Sequence, residues 1–142
     1  IYVISTIAIR LLTGRLSDKI GRRKTLLIGT SFLVISMLMI GLSNDITSYT
    51  IASVVFGIAT GISSPTLFAW TADLSPEKRR GVGAGTMFIA LEFGIMAGSM
   101  STLLTYDNTP ESLFGAFAVG VGLALAAIAY LIWHLNRRSS LT

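Results

Sequence analysis

The chain has 142 residues, 52% of them hydrophobic and 13% charged, with a mean hydropathy of +0.72; a soluble domain carries roughly 25% charge, so the composition argues against a water-soluble globule. There is no cysteine and one histidine, His134, which leaves no disulfide framework, no zinc-thiolate site, no Cys nucleophile and no multi-histidine metal centre. The net charge of +4 comes from 11 Lys and Arg against 7 Asp and Glu, but the cations sit in short clusters between apolar runs rather than along a polar surface, so nucleic acid is not an expected partner.

A helix that crosses a hydrocarbon core of about 30 Å needs about 20 mainly apolar residues, at a rise of roughly 1.5 Å each. The first apolar piece, Ile1–Ile9, is too short for that and is not preceded by Met. It reads as the end of a truncated helix, and a secretory leader would carry its cations before the apolar stretch rather than after it. Uncharged stretches follow at Thr25–Asn44, Ile46–Ala72, Gly81–Tyr106 (interrupted by Glu92) and Ser112–Asn136. The expected architecture is therefore all-α and polytopic, with five consecutive transmembrane helices over 1–13, 25–44, 47–72, 81–105 and 113–135. The lipid bilayer is its first partner.

The connections alternate in chemistry. Arg15, Lys19, Arg22, Arg23 and Lys24 fill the first, and Lys78, Arg79 and Arg80 the third, while those near Asn44–Asp45 and Tyr106–Ser112 hold no Lys or Arg. With Arg10, Arg137 and Arg138, every cation falls on one side, which the positive-inside rule makes cytoplasmic, together with the C-terminus. Tyr49 and Tyr106 fall at outer ends and Trp70 and Trp133 at inner ends, where amphipathic rings favour the headgroup level. Small residues at i, i+4 spacing (Gly57 and Gly61, Gly94 and Gly98, and Ala118, Gly122 and Ala126) are candidate faces for close helix approach. Phe32–Leu42 is bulky with one glycine, so its helix is expected to have the broadest lipid exposure.

The most specific segment runs Gly14-Arg15-Leu16-Ser17-Asp18-Lys19-Ile20-Gly21-Arg22-Arg23-Lys24. Chemically, Gly14 would let a helix end approach a neighbour, Asp18 is an acceptor among cations, and Gly21 can take the left-handed conformation a reversal needs. Arg22 and Arg23 can fork onto carboxylates or helix-end carbonyls. The segment resembles the signature loop of the major facilitator superfamily, G-x-L-[AS]-D-[RK]-x-G-[RK]-[RK], at every fixed position. A second segment, with Asp73, Pro76, Arg80 and Gly81, resembles that superfamily's [DE]-x-x-P-x-x-x-R-G connection. The resemblance covers essentially the whole chain. It implies a part of a twelve-helix fold built as two related halves, with both termini cytoplasmic. The absence of a cation before Gly57 and the short polar tail after the last helix favour helices eight to twelve, so the N-terminal half is a missing partner.

The resemblance also implies a gating cluster at the cytoplasmic face formed by Gly14, Arg15, Asp18, Gly21, Arg22, Arg23, Asp73 and Arg80, with Arg22 and Arg23 on Asp73 and Asp18 on Arg80. Glu77 and Lys78 are expected to be solvated. Glu92 stands out near the centre of an apolar stretch, where a charge costs on the order of 3 kcal/mol. It shares a helix face with Gly85, Phe88, Met96 and Ser99, and points about 200° from Gly94 and about 240° from Gly98. It is the candidate proton or substrate site, or else a protonated structural acid. Pro65 frees a helix carbonyl and permits a kink, and with Gly57 and Gly61 it forms the candidate gate kink. Ser63, Ser64, Thr66 and Thr71 give the same helix a polar aspect or bond to its own carbonyls.

No HExxH or GxSxG motif is present, so enzyme function is not expected, and neither is a cofactor or a metal. The reading is a secondary active transporter of a small-molecule substrate by alternating access, in the cell membrane. The resemblance to exporters favours proton-coupled efflux. An uptake permease of the same superfamily and a non-transporting sensor or assembly subunit remain the alternatives.

Overall fold

The computed structural model describes residues 2–107 and 110–139. All regular structure in them is helical: α1 (Tyr2–Ile20), α2 (Arg22–Leu42), α3 (Ile46–Leu74), α4 (Arg80–Thr105) and α5 (Pro110–Ser139), with a 3-10 turn at Glu77–Arg79. Helices are the solution that satisfies every backbone group within its own segment, which a lipid environment demands. Among the described residues, three helical stretches are long and apolar enough to cross a membrane: Arg22–Leu42, Ile46–Leu74 and Glu77–Thr105. The apolar stretches described in α1 and α5 are shorter, Tyr2–Leu11 and Phe117–Trp133.

Local chemistry sets the breaks. Gly21 alone separates α1 from α2, at φ 96° and ψ 142°. The positive φ is open to glycine, but the extended ψ lies outside the left-handed helical well expected for it. Asp45 caps α3, accepting from the Thr47 and Ser48 amides at 3.2 Å each and from the Ser48 hydroxyl. These bonds, the Ser48 hydroxyl first, hold its carboxyl below the usual carboxylate range. α3 stops at Leu74 because Ser75, ahead of Pro76, is driven to an extended conformation (φ −90°, ψ 133°).

The packed part of the bundle has α3 against α1 and α2, and α2 against α5. Its core is built of small and hydroxylic side chains: Ala52, Ala59, Thr13, Thr25, Ser36 and Thr66 are buried beside Leu26 and Ile62. The hydroxyls donate to carbonyls of the preceding turn, Thr13 to Ile9 at 2.8 Å and Thr66 to Ile62 at 2.7 Å. These four Thr and Ser hydroxyls therefore enter the core satisfied, whereas Ser63 Oγ is buried without a hydrogen-bond partner among the described residues and does not bond to a carbonyl of its own helix. Gly57 and Gly61 are why α1 lies so close to α3. A Cβ at Gly57 would come within 2.8 Å of the Tyr2 carbonyl and of Ser5 Cβ, and one at Gly61 within 3.0 Å of Ile9 and of the Thr6 carbonyl.

Two packing expectations are corrected. α2 is not the most exposed helix; it is wedged between α3 and α5, and its exposed large side chains form one stripe, Ile28, Phe32, Ile35, Leu38 and Leu42. The open helix is α4, none of whose residues is buried. Gly94 and Gly98 on α4, and Gly122 on α5, face nothing within 4 Å, so these small-residue faces make no close approach among the described residues. Helical spacing shows where a face lies and is silent on which helix covers it.

Candidate functional site

The signature segment is not a loop over its first half: α1 continues in helix through Gly14 to Ile20, and only Gly21 breaks the helix. Gly14 is exposed with nothing within 4 Å of a Cβ placed there, so it mediates no close approach among the described residues. The side chain of Arg15 lies outside the described residues, as do those of Arg137 and Arg138. The consequence of the helix is geometric. Ser17 and Asp18 are held one turn before the Gly21 break, and Arg22 immediately after it, so three side chains from two helices converge.

Arg22 is the hub. Its Nη1 lies 2.6 Å from Asp18 Oδ1 and donates to Ser17 Oγ at 3.1 Å, while its Nε donates to Asp73 Oδ2 at 3.0 Å. One guanidinium thus ties the end of α1 and the start of α2 to the last turn of α3. A planar fork suits this task, because Nε and Nη1 can serve different acceptors at once. Ser17 is only 2% exposed, whereas the Asp18 and Asp73 side chains are 65% and 55% exposed. The contact therefore has a dry floor and two wet rims, and its net worth is about 1 kcal/mol or less per pair.

The remaining expected pairs form differently. Arg23 does not reach Asp73; its guanidinium carbon lies 5.9 Å from the centre of the Trp70 ring. Asp18 does not reach Arg80, since Arg22, four residues on, is on the same helical side of the junction. Arg80 instead lies 3.9 Å from Glu77, both side chains well exposed. Glu77 is solvated as expected, its side chain 91% exposed beside this long contact. Ser17 joins the site beyond the residues that the sequence points to. Its signal was present, a hydroxyl at the position where the signature admits Ala or Ser, but only the structure shows that it bonds Arg22.

Glu92 is exposed on α4 and lines an open groove of about 490 Å³ with Phe88, Ile89, Phe93 and Met96. Among the described residues it has no hydrogen bond and no ion pair. α3 runs through Pro65 without interruption. The proline lacks the N–H that would reach the Gly61 carbonyl, four residues back. Gly57 and Gly61 serve the α1 contact, and the hydroxyls of Thr6 and Thr60 meet across that interface at 3.4 Å. No group of three or more His, Cys, Asp or Glu able to hold a metal occurs among the described residues.

A family model described as the Major Facilitator Superfamily matches residues 1–141. Similar curated proteins include a triacylglyceride transporter of Mycolicibacterium smegmatis, 29% identical over 95% of this chain and 24% of its own length. A galactose-proton symporter of Escherichia coli is 27% identical over 84% of this chain and 26% of its own length. The MFS-type transporter EfpA of Mycobacterium tuberculosis is 30% identical over 89% of this chain and 24% of its own length. The chain thus spans about a quarter of the length of these relatives. No solved structure gives a significant match.

Proposed function

This chain belongs to the major facilitator superfamily, and on that premise we propose that it forms helices eight to twelve of a secondary active transporter that moves a small solute by alternating access. Its basic end and C-terminus face the cytoplasm, in the cell membrane, and the remaining helices of the same protein complete the cavity. The observation that carries the reading is the Arg22 hub, which links three helix ends through two exposed carboxylates and one buried hydroxyl. Such a contact stabilises the conformation that closes the cytoplasmic side and is lost in the one that opens it. Two such pairs give a differential of up to about 2 kcal/mol between the two states, which shifts their populations by more than tenfold. Arg23, Arg80, Gly14 and Arg15 belong to the same gate by sequence, and Pro65, with Gly57 and Gly61, is where α3 would bend.

Glu92 is the proposed proton or substrate site. An acid in a groove of Phe88, Ile89, Phe93 and Met96 is costly when charged in lipid, and titration during the cycle turns that cost into coupling. Efflux by proton exchange is our first reading. Proton-coupled uptake is the second, and the similarity to a galactose-proton symporter favours it. The test uses the full-length protein in sealed vesicles, with galactose and a triacylglyceride as first solutes. Glu92→Gln should abolish transport driven by a pH gradient while sparing gradient-free exchange, because glutamine keeps the size but cannot titrate. Native behaviour in both assays would remove Glu92 from the mechanism. Gradient-driven accumulation against efflux in oriented vesicles separates the two directions.

A further inference from the structure

A cleft of about 440 Å³ opens at the basic end of the bundle, where the α1–α2 junction, the last turn of α3 and Leu135 of α5 converge. Its lining is of two kinds: Ile20, Leu74 and Leu135 are apolar, while Arg22, Arg23, Lys24 and Asp73 carry charge beside the Trp70 ring. The charges do not cancel. Arg22 and Asp73 satisfy each other, with Asp18 also on Arg22. Among the described residues no acid lies within ion-pairing distance of Arg23 or Lys24. Arg23 rests against Trp70 instead. The cleft therefore presents two cations without acidic partners next to apolar walls, at the level where a tryptophan marks the membrane interface.

We infer that this cleft binds the headgroup of an anionic phospholipid, with its phosphate between Arg23 and Lys24 and the start of an acyl chain along Ile20, Leu74 and Leu135. The mixture of walls decides the ligand class. A free phosphate would use the two cations and leave the apolar side without a partner, and a zwitterionic lipid would bring its own ammonium group against two cations that already lack acidic partners. A cation close to an anionic lipid surface contributes about 1 kcal/mol, roughly a fivefold preference for each of the two. The inference does not depend on the direction or coupling of transport, and it would hold for a non-transporting member of the fold.

The test is native mass spectrometry of the full-length protein released from phosphatidylcholine nanodiscs that contain a minor fraction of phosphatidylglycerol. The phosphatidylglycerol retained on the protein should be enriched over the bulk ratio. Lys24→Gln should lower that enrichment by about fivefold, and Arg23→Gln by a similar factor. Arg23→Lys, which keeps the charge, should retain most of it. Lys24 is exposed, so its replacement leaves the bundle intact and the readout interpretable. Lys78→Gln, in the other basic turn and outside the cleft, should change nothing. An equal loss in Lys78→Gln would show diffuse surface attraction and overturn the site. Absence of enrichment in the native protein would overturn it outright. Displacement of the retained lipid by inorganic phosphate would assign the cations to a soluble anion instead.

Discussion

The α1–α3 interface and α4 carry the same sequence signals and reach opposite outcomes. Both offer glycines at i, i+4, Gly57 and Gly61 on α3, Gly94 and Gly98 on α4. On α3 a Cβ would collide with α1, whereas on α4 it would meet nothing. Charge follows the same division. Arg22 beside α3 has three partners, while Glu92 on α4 has none among the described residues. The lesson is that a small-residue stripe is permission for contact, and a partner surface must be present to take it up. α3 finds its partner inside this segment. α4 touches α3 and α5 but buries none of its residues, and on the proposed reading its glycine face finds a partner among further helices of the complete transporter.

The largest expected effect comes from filling the closed interface. Gly57→Leu drives a side chain into the Tyr2 carbonyl and Ser5. Overpacking typically costs about 1–3 kcal/mol, and backbone on the far side leaves little room to yield. The full-length protein should lose membrane abundance and unfold at a clearly lower temperature. An unchanged Tm would mean that α1 slides away freely, and the contrast with α4 would collapse.

Next is Arg22→Gln, which removes both ion pairs at once. Transport rates should fall about tenfold, the expectation for a population shift of about 1.4 kcal/mol, while thermal stability drops by about 2 kcal/mol or less, the sum of two exposed pairs. Arg22→Lys should not rescue the rate, because an ammonium cannot serve Asp18 and Asp73 with a fork. Full rescue by lysine would reduce the hub to a topology signal. Initial flux rates and unfolding curves from the same preparations separate the two effects.

Gly98→Ala sharpens the open side. Within this segment the added methyl meets open space, so the cost should be near zero and helix propensity would even favour alanine by about 1 kcal/mol. If the full-length protein is instead destabilised, another helix covers that position in the complete fold. The smallest effect belongs to Asp45. Its folded carboxyl titrates below the unfolded one, so its capping contribution is present above the unfolded value and is lost as pH falls through the folded one. Asp45→Asn should keep the cap and remove this acid sensitivity, seen as a small difference in Tm that appears only under strongly acidic conditions.

Much of this molecule is legible without coordinates, because lipid imposes few solutions. Twenty-residue apolar runs can only be helices there, and breaks fall where Gly21, Asp45 and Pro76 supply a positive φ, a cap and an extended neighbour. Asp18, Arg22 and Asp73 could be named because the segments that hold them resemble the superfamily's signature loop and its [DE]-x-x-P-x-x-x-R-G connection. What sequence misjudged was partnership. Phe32–Leu42 looked exposed because bulky apolar side chains suit lipid and a packed interior equally well, so composition could not separate them. Arg23 was expected on Asp73, yet residues 22 and 23 project about 100° apart on a helix, and one carboxylate was already taken. Helical periodicity fixed direction along one axis at a time. Only the packing of α1, α2 and α3 against one another decided that Ser17 would lie buried beneath Arg22, that Gly57 would be covered, and that Gly98 would be left open.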